Sequence, residues 1–174
     1  MNKSLDFKFL VTMKTPKEYR KLFMHLVNDL SRVLSYPENS EELREDDVLI
    51  MEMSLEDVPF NVLHFMKQAP EKVLIEAVFG DVPTQRSTDV LYRVLHLNRE
   101  LSESGVAAIA YDSERKKLVY CQALTLENSS GQILLEKMTE ICWRAQYWRE
   151  TYFLKASEFE EKSAGGGDPF VSLV

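Results

Sequence analysis

The chain has 174 residues, of which 45% are hydrophobic, so it is long enough to form one domain with a continuous core. Asp and Glu total 28 against 21 for Lys and Arg, which gives a formal net charge of -7. A surface of this sign repels phosphate backbones and anionic lipid headgroups, so we expect neither nucleic acid nor a membrane as a partner. The acidity is compatible both with simple solubility and with a basic protein partner.

The cysteines and the N-terminal residues indicate the compartment. Cys121 and Cys142 lack CxxC spacing and a nearby histidine, so neither a disulfide framework nor a zinc site is predicted. Lys3, Asp6 and Lys8 interrupt the first apolar stretch, which is unlike a signal peptide, and no apolar run approaches the roughly 20 residues of a membrane span. We expect a protein of the reducing cytoplasm.

A helix is the first predicted element. It begins at Thr15-Pro16, a capping residue followed by proline at the first helical position. Pro37 and the acidic run 38–47 end it and form a solvated loop. Its apolar stripe consists of Tyr19, Leu22, Phe23, Leu26, Leu30, Val33 and Leu34.

Three apolar runs then predict an antiparallel meander of three strands. They are separated by the connections 56–59 and 68–71, both of which contain proline and charge. Each strand has apolar side chains on both faces, so one face is expected to lie under helices while the other needs a second layer or a partner. The runs occupy residues 48–55, 60–67 and 72–79.

The second half of the chain predicts a helix at about 86–104, a hairpin and a long last helix. Gly105 is the expected end of the middle helix, and the last helix is expected to run from a cap at Asn128-Ser129-Ser130 to about Lys162. The two hairpin strands are 106–111 and 118–124.

The order of elements is therefore helix, three strands, helix, two strands, helix, which indicates an α+β fold with helices on one face of an antiparallel sheet. We expect one domain over residues 1–162. Residues 163–174 follow as a flexible tail, which is either a frayed end or a docking peptide.

No catalytic or metal-binding motif is present in the sequence. GxGxxG, GxxxxGK[ST], GxSxG and HExxH are all absent, and the acidic run lacks the order of ligands of an EF-hand. His25, His64 and His96 lie on separate predicted elements, without metal-ligand spacing. We expect no catalytic residue, no metal and no cofactor, so a binding protein is favoured over an enzyme.

Methionines are unusually placed in the predicted meander. Met51, Met53 and Met66 lie in strands beside Phe60 and Phe65. Flexible thioethers next to aromatic rings suit surfaces that accept varied apolar side chains, although the same residues also serve ordinary core packing.

Three stretches resemble one protein family. VLYRVLHLN at 90–98, VAAIAYD at 106–112 and LVY at 118–120 are similar to the helix and the "Ala-Leu-Asp, Leu-Val-Leu" hairpin of the Tir chaperone (CesT) family of class I type III secretion chaperones. An aromatic stretch at 143–148 also lies where these proteins carry an aromatic helix. The resemblance covers residues 16–153 and does not extend to the C-terminal residues 158–174.

The resemblance implies a bacterial cytoplasmic homodimer that binds the extended N-terminal segment of a secreted effector, with the secretion ATPase as a further partner. The effector segment would add a strand to an exposed sheet edge and place apolar side chains into surface patches. A regulator or structural dimer of related fold without a secreted client is the alternative. The middle helix and the adjacent strand would form the symmetric contact through Leu91, Val94, Leu95, Asn98, Leu101 and Ile109.

The meander strands themselves supply the candidate effector-binding residues. The first helix would border this surface through Tyr19 and Phe23. The candidates are Leu49, Met51, Met53, Phe60, Val62, Leu63, Phe65 and Met66.

Overall fold

The computed structural model describes residues 14–37, 47–105 and 107–154. The predicted α+β order is confirmed throughout these ranges, and a short 3-10 turn, Leu126–Asn128, precedes the last helix. The elements are α1 (Pro16–Val33), β1 (Val48–Leu55), β2 (Val58–Phe65), β3 (Lys72–Asp81), α2 (Ser87–Ser104), β4 (Ala107–Asp112), β5 (Lys117–Thr125) and α3 (Gly131–Thr151).

The five strands form one antiparallel sheet in the order β1-β2-β3-β5-β4, so β1 and β4 are its edges. β1 and β2 are joined by the two-residue turn Glu56-Asp57, where φ is 49° and 60°. Two successive positive φ values are typical of the tight turn whose twist matches a hairpin. β2 therefore begins at Val58, and the predicted four-residue connection 56–59 is wrong.

Proline is tolerated at the second position of β2 because an N–H group at this position would have no partner in a neighbouring strand. Pro59 lies opposite Ser54 of β1, and pairing of β2 with β3 starts only at Phe60. No ladder hydrogen bond is lost, which is the usual condition for proline in a strand.

One face of the sheet is covered by α1 and α3, and α2 lies along the β4 edge. Alternate residues of β2 and β3, such as Phe60, Val62 and Ile75, are buried and belong to the same core cluster as the inward side chains of α1, α2 and α3. α3 packs against β3, β1 and α1, whereas α2 packs along β4. The predicted arrangement of helices over one sheet face is confirmed.

The ends of α1 and α3 are fixed by local chemistry. Thr15 and Glu18 form a capping box at the start of α1, and the hydrogen bonds from Thr15 lower the pKa of Glu18. Ser130 caps α3 by accepting a hydrogen bond from the N–H of Ile133, which confirms the predicted cap.

The close approach of α3 to α1 requires glycine at the first position of α3. A Cβ atom at Gly131 would lie 2.4 Å from the backbone C of Asp29 and the N of Leu30. The N–H of Gly131 donates to Oδ2 of Asp29 at 2.6 Å, which also places a carboxylate at the N-terminus of α3. This contact sets the position of α1 beside the sheet.

Several predictions fall on residues outside the described ranges. They concern the acidic run 38–46, Val106 and the tail 163–174. The predicted continuation of the last helix to about Lys162 is wrong: α3 ends at Thr151, because Tyr152 and Phe153 adopt positive φ values of 51° and 59° that a helix cannot continue through. The proposed domain boundary at 162 stays a prediction.

Candidate functional site

The outer edge of β1 presents backbone hydrogen-bonding groups to solvent. The hairpin closes at the pair Leu55 and Val58, and the N–H of Met66 donates to the carbonyl of Asp47 at 2.8 Å. In an antiparallel ladder the bonded pairs alternate, so odd-numbered residues of β1 bond to β2. The N–H and C=O groups that point outward belong to Val48, Ile50, Glu52 and Ser54. No other described strand lies on that side.

A groove of about 560 Å³ runs between the C-terminal half of α1 and this edge. Its walls are mostly apolar, and two of its side chains are the flexible thioethers of Met51 and Met53. Tyr36 at its rim is 68% exposed. The groove is lined by Val27, Leu30, Ser31, Leu34, Tyr36, Pro37, Met51, Glu52, Met53 and Ser54.

The helix-free face of the same edge carries a second apolar surface. Val48 lies directly opposite Phe65 and Ile50 opposite Leu63, so the four side chains are neighbours across the β1–β2 pair. Ile50 is 55% exposed. We call these four residues the open-face patch. An additional strand beside β1 would therefore meet apolar surface on both of its faces.

The other sheet edge is closed by a side chain. Nδ2 of Asn98 donates to the carbonyl of Ile109 at 2.7 Å, and the N–H of Ile109 donates to Oδ1 of Asn98 at the same distance. The primary amide of α2 thus takes the place of a neighbouring strand at the centre of β4. The two edges differ, and β1 is the one that can accept a strand over its whole length.

The solvent side of α2 is apolar. Leu91, Tyr92 and Leu95 are 42%, 74% and 68% exposed, and Tyr111 of β4 is 50% exposed. We call these four residues the α2 outer face. Large apolar side chains grouped in this way on a charged protein are typical of an interaction surface.

The structure divides the predicted effector-binding set between three places. Phe60 and Val62 are 1% and 0% exposed within the core, so their assignment to a surface is wrong; they lie on the face that the helices cover. Leu49, Met51 and Met53 are half-buried on that same face at the edge, where the two methionines line the groove.

The remaining three candidates stay accessible. Leu63 and Phe65 belong to the open-face patch, and Met66 is half-buried just after β2. Sequence reasoning placed the bordering part of α1 at Tyr19 and Phe23, whereas the groove is bordered by Leu30, Leu34 and their neighbours. The continuation of the α1 apolar stripe to Leu34 and Tyr36, past the end of the helix, was the available signal.

The predicted dimer-contact set is also divided. Leu91 and Leu95 lie on the α2 outer face. Val94, Leu101 and Ile109 are 5%, 3% and 4% exposed and pack inside one protomer, which corrects their assignment to a surface. Asn98 is occupied by its two hydrogen bonds to Ile109. The exposed Tyr92 and Tyr111 were missed, although Tyr92 is three residues from Leu95 and so shares its side of the helix.

His64 is a buried titratable group on the face of β2 that the helices cover. Its ring is stacked on Phe23 at 5.1 Å, and Nε2 lies 2.8 Å from the carbonyl of Pro70. Nδ1 is buried without a hydrogen-bond partner among the described residues. Burial lowers the pKa of His64, the charge of Arg20 lowers it further, and the bond to Pro70 opposes both effects.

The lowered pKa of His64 predicts a loss of stability in acid. The unfolded chain binds the proton first as pH falls below about 6.5, the ordinary histidine value, so the free energy of unfolding decreases from that pH downward until the folded pKa is passed. His64→Gln keeps a donor for Pro70 and removes the titration. We expect urea midpoints between pH 7 and 5 to fall less for this variant than for the wild type; equal slopes would assign the acid sensitivity to other groups.

The two cysteines are poor nucleophiles. Burial raises the pKa of Cys121 and of Cys142 to about 11, with smaller contributions from Glu76 and Glu56 respectively. Sγ of Cys142 donates to the carbonyl of Leu55 at 3.2 Å. Both thiols stay protonated near neutral pH, when they do not react as thiolates.

Two further features concern only the described ranges. No three His, Cys, Asp or Glu side chains within them are grouped so that they could hold a metal ion. None of their helices combines the length and the apolar character that crossing a bilayer requires.

Solved structures share the fold of this chain. The HopA1-SchA chaperone-effector complex contains a chain with 16% identity and a TM-score of 0.55, over 76% of this chain and 97% of that one. The ExsC-ExsE complex contains a chain with 14% identity and a TM-score of 0.55, over 83% of this chain and 100% of that one. The structure of the Yersinia pestis type III secretion chaperone SycH, in complex with a stable fragment of YscM2, contains a chain with 14% identity and a TM-score of 0.50, over 74% of this chain and 98% of that one.

Sequence comparison gives the family. Among curated proteins, none matches the chain in sequence. The model of the Tir chaperone protein (CesT) family matches residues 54–149, which is more than half of the chain and extends from the end of β1 to the last turns of α3. The chain therefore belongs to the Tir chaperone protein (CesT) family of class I type III secretion chaperones.

Proposed function

We propose that this protein binds the extended N-terminal segment of one type III secreted effector and keeps that effector soluble and competent for secretion. The observation that carries the proposal is the outer edge of β1, which pairs with no other strand of the described residues, together with the apolar groove beside it. The complexes formed by proteins of the same fold, such as SchA with HopA1, support a protein client. The activity is binding without catalysis, and its place is the bacterial cytoplasm.

The binding step is the addition of a strand to β1. An extended client segment pairs with the outward N–H and C=O groups of Val48, Ile50, Glu52 and Ser54. Its side chains alternate, so one set enters the groove and the other covers the open-face patch. Main-chain pairing supplies affinity that does not depend on sequence, while the groove selects apolar side chains of suitable size.

The working unit is a homodimer formed through the α2 outer face. A self-complementary contact buries Leu91, Tyr92 and Leu95 of both copies about a twofold axis. The dimer then presents two β1 edges, and one long client segment can engage both, which raises its affinity through effective concentration. Removal of the client at the secretion ATPase is the last step of this proposal.

A proline at Glu52 tests the strand addition. The N–H of Glu52 points away from β2, so Glu52→Pro removes an outward donor and leaves the β1–β2 ladder intact. We expect the dissociation constant of the client segment to rise by about tenfold or more, because one hydrogen bond is lost and the ring obstructs the incoming backbone. The fold should be retained, with a thermal midpoint close to that of the wild type.

The client for this measurement is first identified by mass spectrometry of the proteins that co-purify from the native bacterium, and its N-terminal segment is then titrated by calorimetry. Glu52→Ala is the matched control, since it removes the same carboxylate and keeps the N–H. Equal affinities for the two variants would exclude pairing at this edge. A co-purified folded regulator in place of an extended secreted protein would favour the alternative function.

A further inference from the structure

We propose that the client strand carries a lysine or arginine directly opposite Glu52 of β1, and that this ion pair sets the register of the client on the sheet edge. The inference rests on the proposed function, because it concerns the strand that is added to β1. It names a chemical requirement on the client that the apolar groove alone does not impose.

A row of polar side chains crosses the helix-free face of the sheet and ends at Glu52. Glu52 lies directly opposite Asn61 of β2, and Asn61 lies directly opposite Glu76 of β3. Nδ2 of Asn61 donates to Oε1 of Glu76 at 2.9 Å, and Nη1 of Arg115, from the turn between β4 and β5, donates to the same oxygen at 3.3 Å. Side chains that lie directly opposite each other on neighbouring strands interact. The next position of this row, beyond Glu52, belongs to the residue that an added strand supplies.

The charge of Glu52 is not balanced within the part of the chain that the structure describes. Glu76 in the same row is paired with Arg115. At the start of β1, Oδ2 of Asp47 lies 2.6 Å from Nζ of Lys67. Glu52 is exposed, and none of the described Lys, Arg or His side chains forms an ion pair with it. The cation that completes the row is therefore expected from the client.

An added strand changes the surroundings of this carboxylate. Water hydrates Glu52 while the edge is open. A client whose side chains cover the neighbouring Ile50 removes part of that water, and a carboxylate that loses water without gaining a partner is destabilised. An apolar or acidic client residue opposite Glu52 is therefore disfavoured. A lysine or arginine at that position replaces the lost hydration with an ion pair.

The charge also specifies a register that the apolar pattern leaves open. Alternation has a period of two residues, so a client that slips by two residues still places apolar side chains in the groove. On the helix-free face the edge is not uniform, because Val48 and Ile50 are apolar whereas Glu52 and Ser54 are polar. The client pattern is therefore an apolar residue opposite Ile50, an apolar residue that enters the groove and a basic residue opposite Glu52. A slip of two residues moves the basic side chain away from Glu52.

Calorimetric titration of Glu52 variants with the N-terminal segment of the co-purified client tests the pairing. Glu52→Gln removes the charge and keeps the N–H, so we expect the dissociation constant to rise about threefold at low salt. Glu52→Lys replaces attraction by repulsion, and we expect a rise of about tenfold or more. Both differences should shrink in about 1 M NaCl, where the screening length is about 3 Å.

Glu114 supplies the matched control. It is exposed on the turn between β4 and β5, away from the β1 edge. Glu114→Gln and Glu114→Lys make the same changes of net charge as the two Glu52 variants. We expect both control proteins to bind the client segment with the affinity of the wild type. Losses of affinity equal to those of the Glu52 variants would assign the effect to the net charge of the protein and overturn the pairing.

A double-mutant cycle identifies the client residue. Each lysine and arginine of the client segment is replaced by glutamine in turn. One of these replacements should weaken binding to the wild type about threefold and leave binding to Glu52→Gln unchanged, which is the signature of two residues in contact. Replacing the same client residue with glutamate should restore binding to Glu52→Lys.

The failure of this inference is distinguishable from the failure of the proposed function. A client segment that binds the wild type, Glu52→Gln and Glu52→Lys equally well would overturn the pairing and leave strand addition intact. A bound segment without lysine or arginine, or a cycle without coupling at any basic residue, would have the same meaning. Equal affinities for Glu52→Pro and Glu52→Ala would instead exclude strand addition at β1, and the ion pair with it.

Discussion

Replacing Leu95 with glutamate is expected to convert the proposed homodimer into a folded monomer and to raise its dissociation constant by at least about 100-fold. Leu95 is 68% exposed at the centre of the α2 outer face and makes no contribution to the protomer core. A twofold contact presents the substituted residue twice, so two carboxylates would be buried without partners in one interface. Sedimentation velocity over a range of protein concentrations measures the change.

The folded state of the monomer is the essential control. Circular dichroism should show unchanged secondary structure for Leu95→Glu, because the side chain points away from Val94 and Leu97, which fill the core. Thr139→Glu places the same charge on an exposed position of α3 and should remain dimeric. An intact Leu95→Glu dimer at micromolar concentration would place the subunit contact elsewhere on the molecule.

The fold could be predicted from the sequence because its local signals agree with one another. Thr15-Pro16 with Glu18, Gly105 and Ser130 are start and stop signals that the helices use. The β1–β2 turn was mispredicted because proline at position 59 was taken as part of the loop. Glu56 and Asp57 adopt positive φ without a glycine; aspartate is enriched in this conformation, but glutamate is not, so the pair is a weak signal for the turn.

The candidate site was only half predictable, because periodicity groups residues without saying which group is covered. β2 has apolar side chains on both faces, and pattern alone did not distinguish the buried Phe60 from the accessible Leu63. The middle helix has the same ambiguity, because the predicted dimer-contact set combined Leu95, which is 68% exposed, with Val94, which is 5% exposed. Both questions depend on tertiary packing, which a sequence period does not specify.

The groove was missed for a related reason. Its two walls come from β1 and from the C-terminal half of α1, which are separated in the chain by the acidic residues 38–46. The sequence of each wall, taken alone, has the apolar pattern of an ordinary buried helix or strand. The close approach of α1 to α3 at Gly131 helps to fix how far α1 lies from the edge of β1, and hence whether a groove is left between them.

Replacing Asn98 with leucine is expected to destabilise the protein by about 3 kcal/mol and to promote its aggregation. The variant keeps the branched shape of the side chain, although leucine is larger, and removes both hydrogen bonds to Ile109, a residue that is 4% exposed. A buried N–H and a buried C=O would be left without partners, each of which costs about 1–3 kcal/mol. Urea unfolding at one fixed protein concentration measures the change, since subunit association contributes to the apparent stability.

Asn98→Asp distinguishes the contributions of the two hydrogen bonds, because it keeps one and removes the other. The carboxylate still accepts from the N–H of Ile109 but faces its carbonyl oxygen without a proton to donate, so the loss should be at least as large as for leucine at neutral pH and should decrease as pH falls. Light scattering then tests whether Asn98 also prevents aggregation. Asn98→Leu leaves the backbone groups at the centre of the β4 edge without a partner. If that variant is destabilised but does not aggregate, Asn98 does not serve to block the β4 edge. In that case the contrast between a closed β4 and an open β1 would no longer explain why a client pairs with β1.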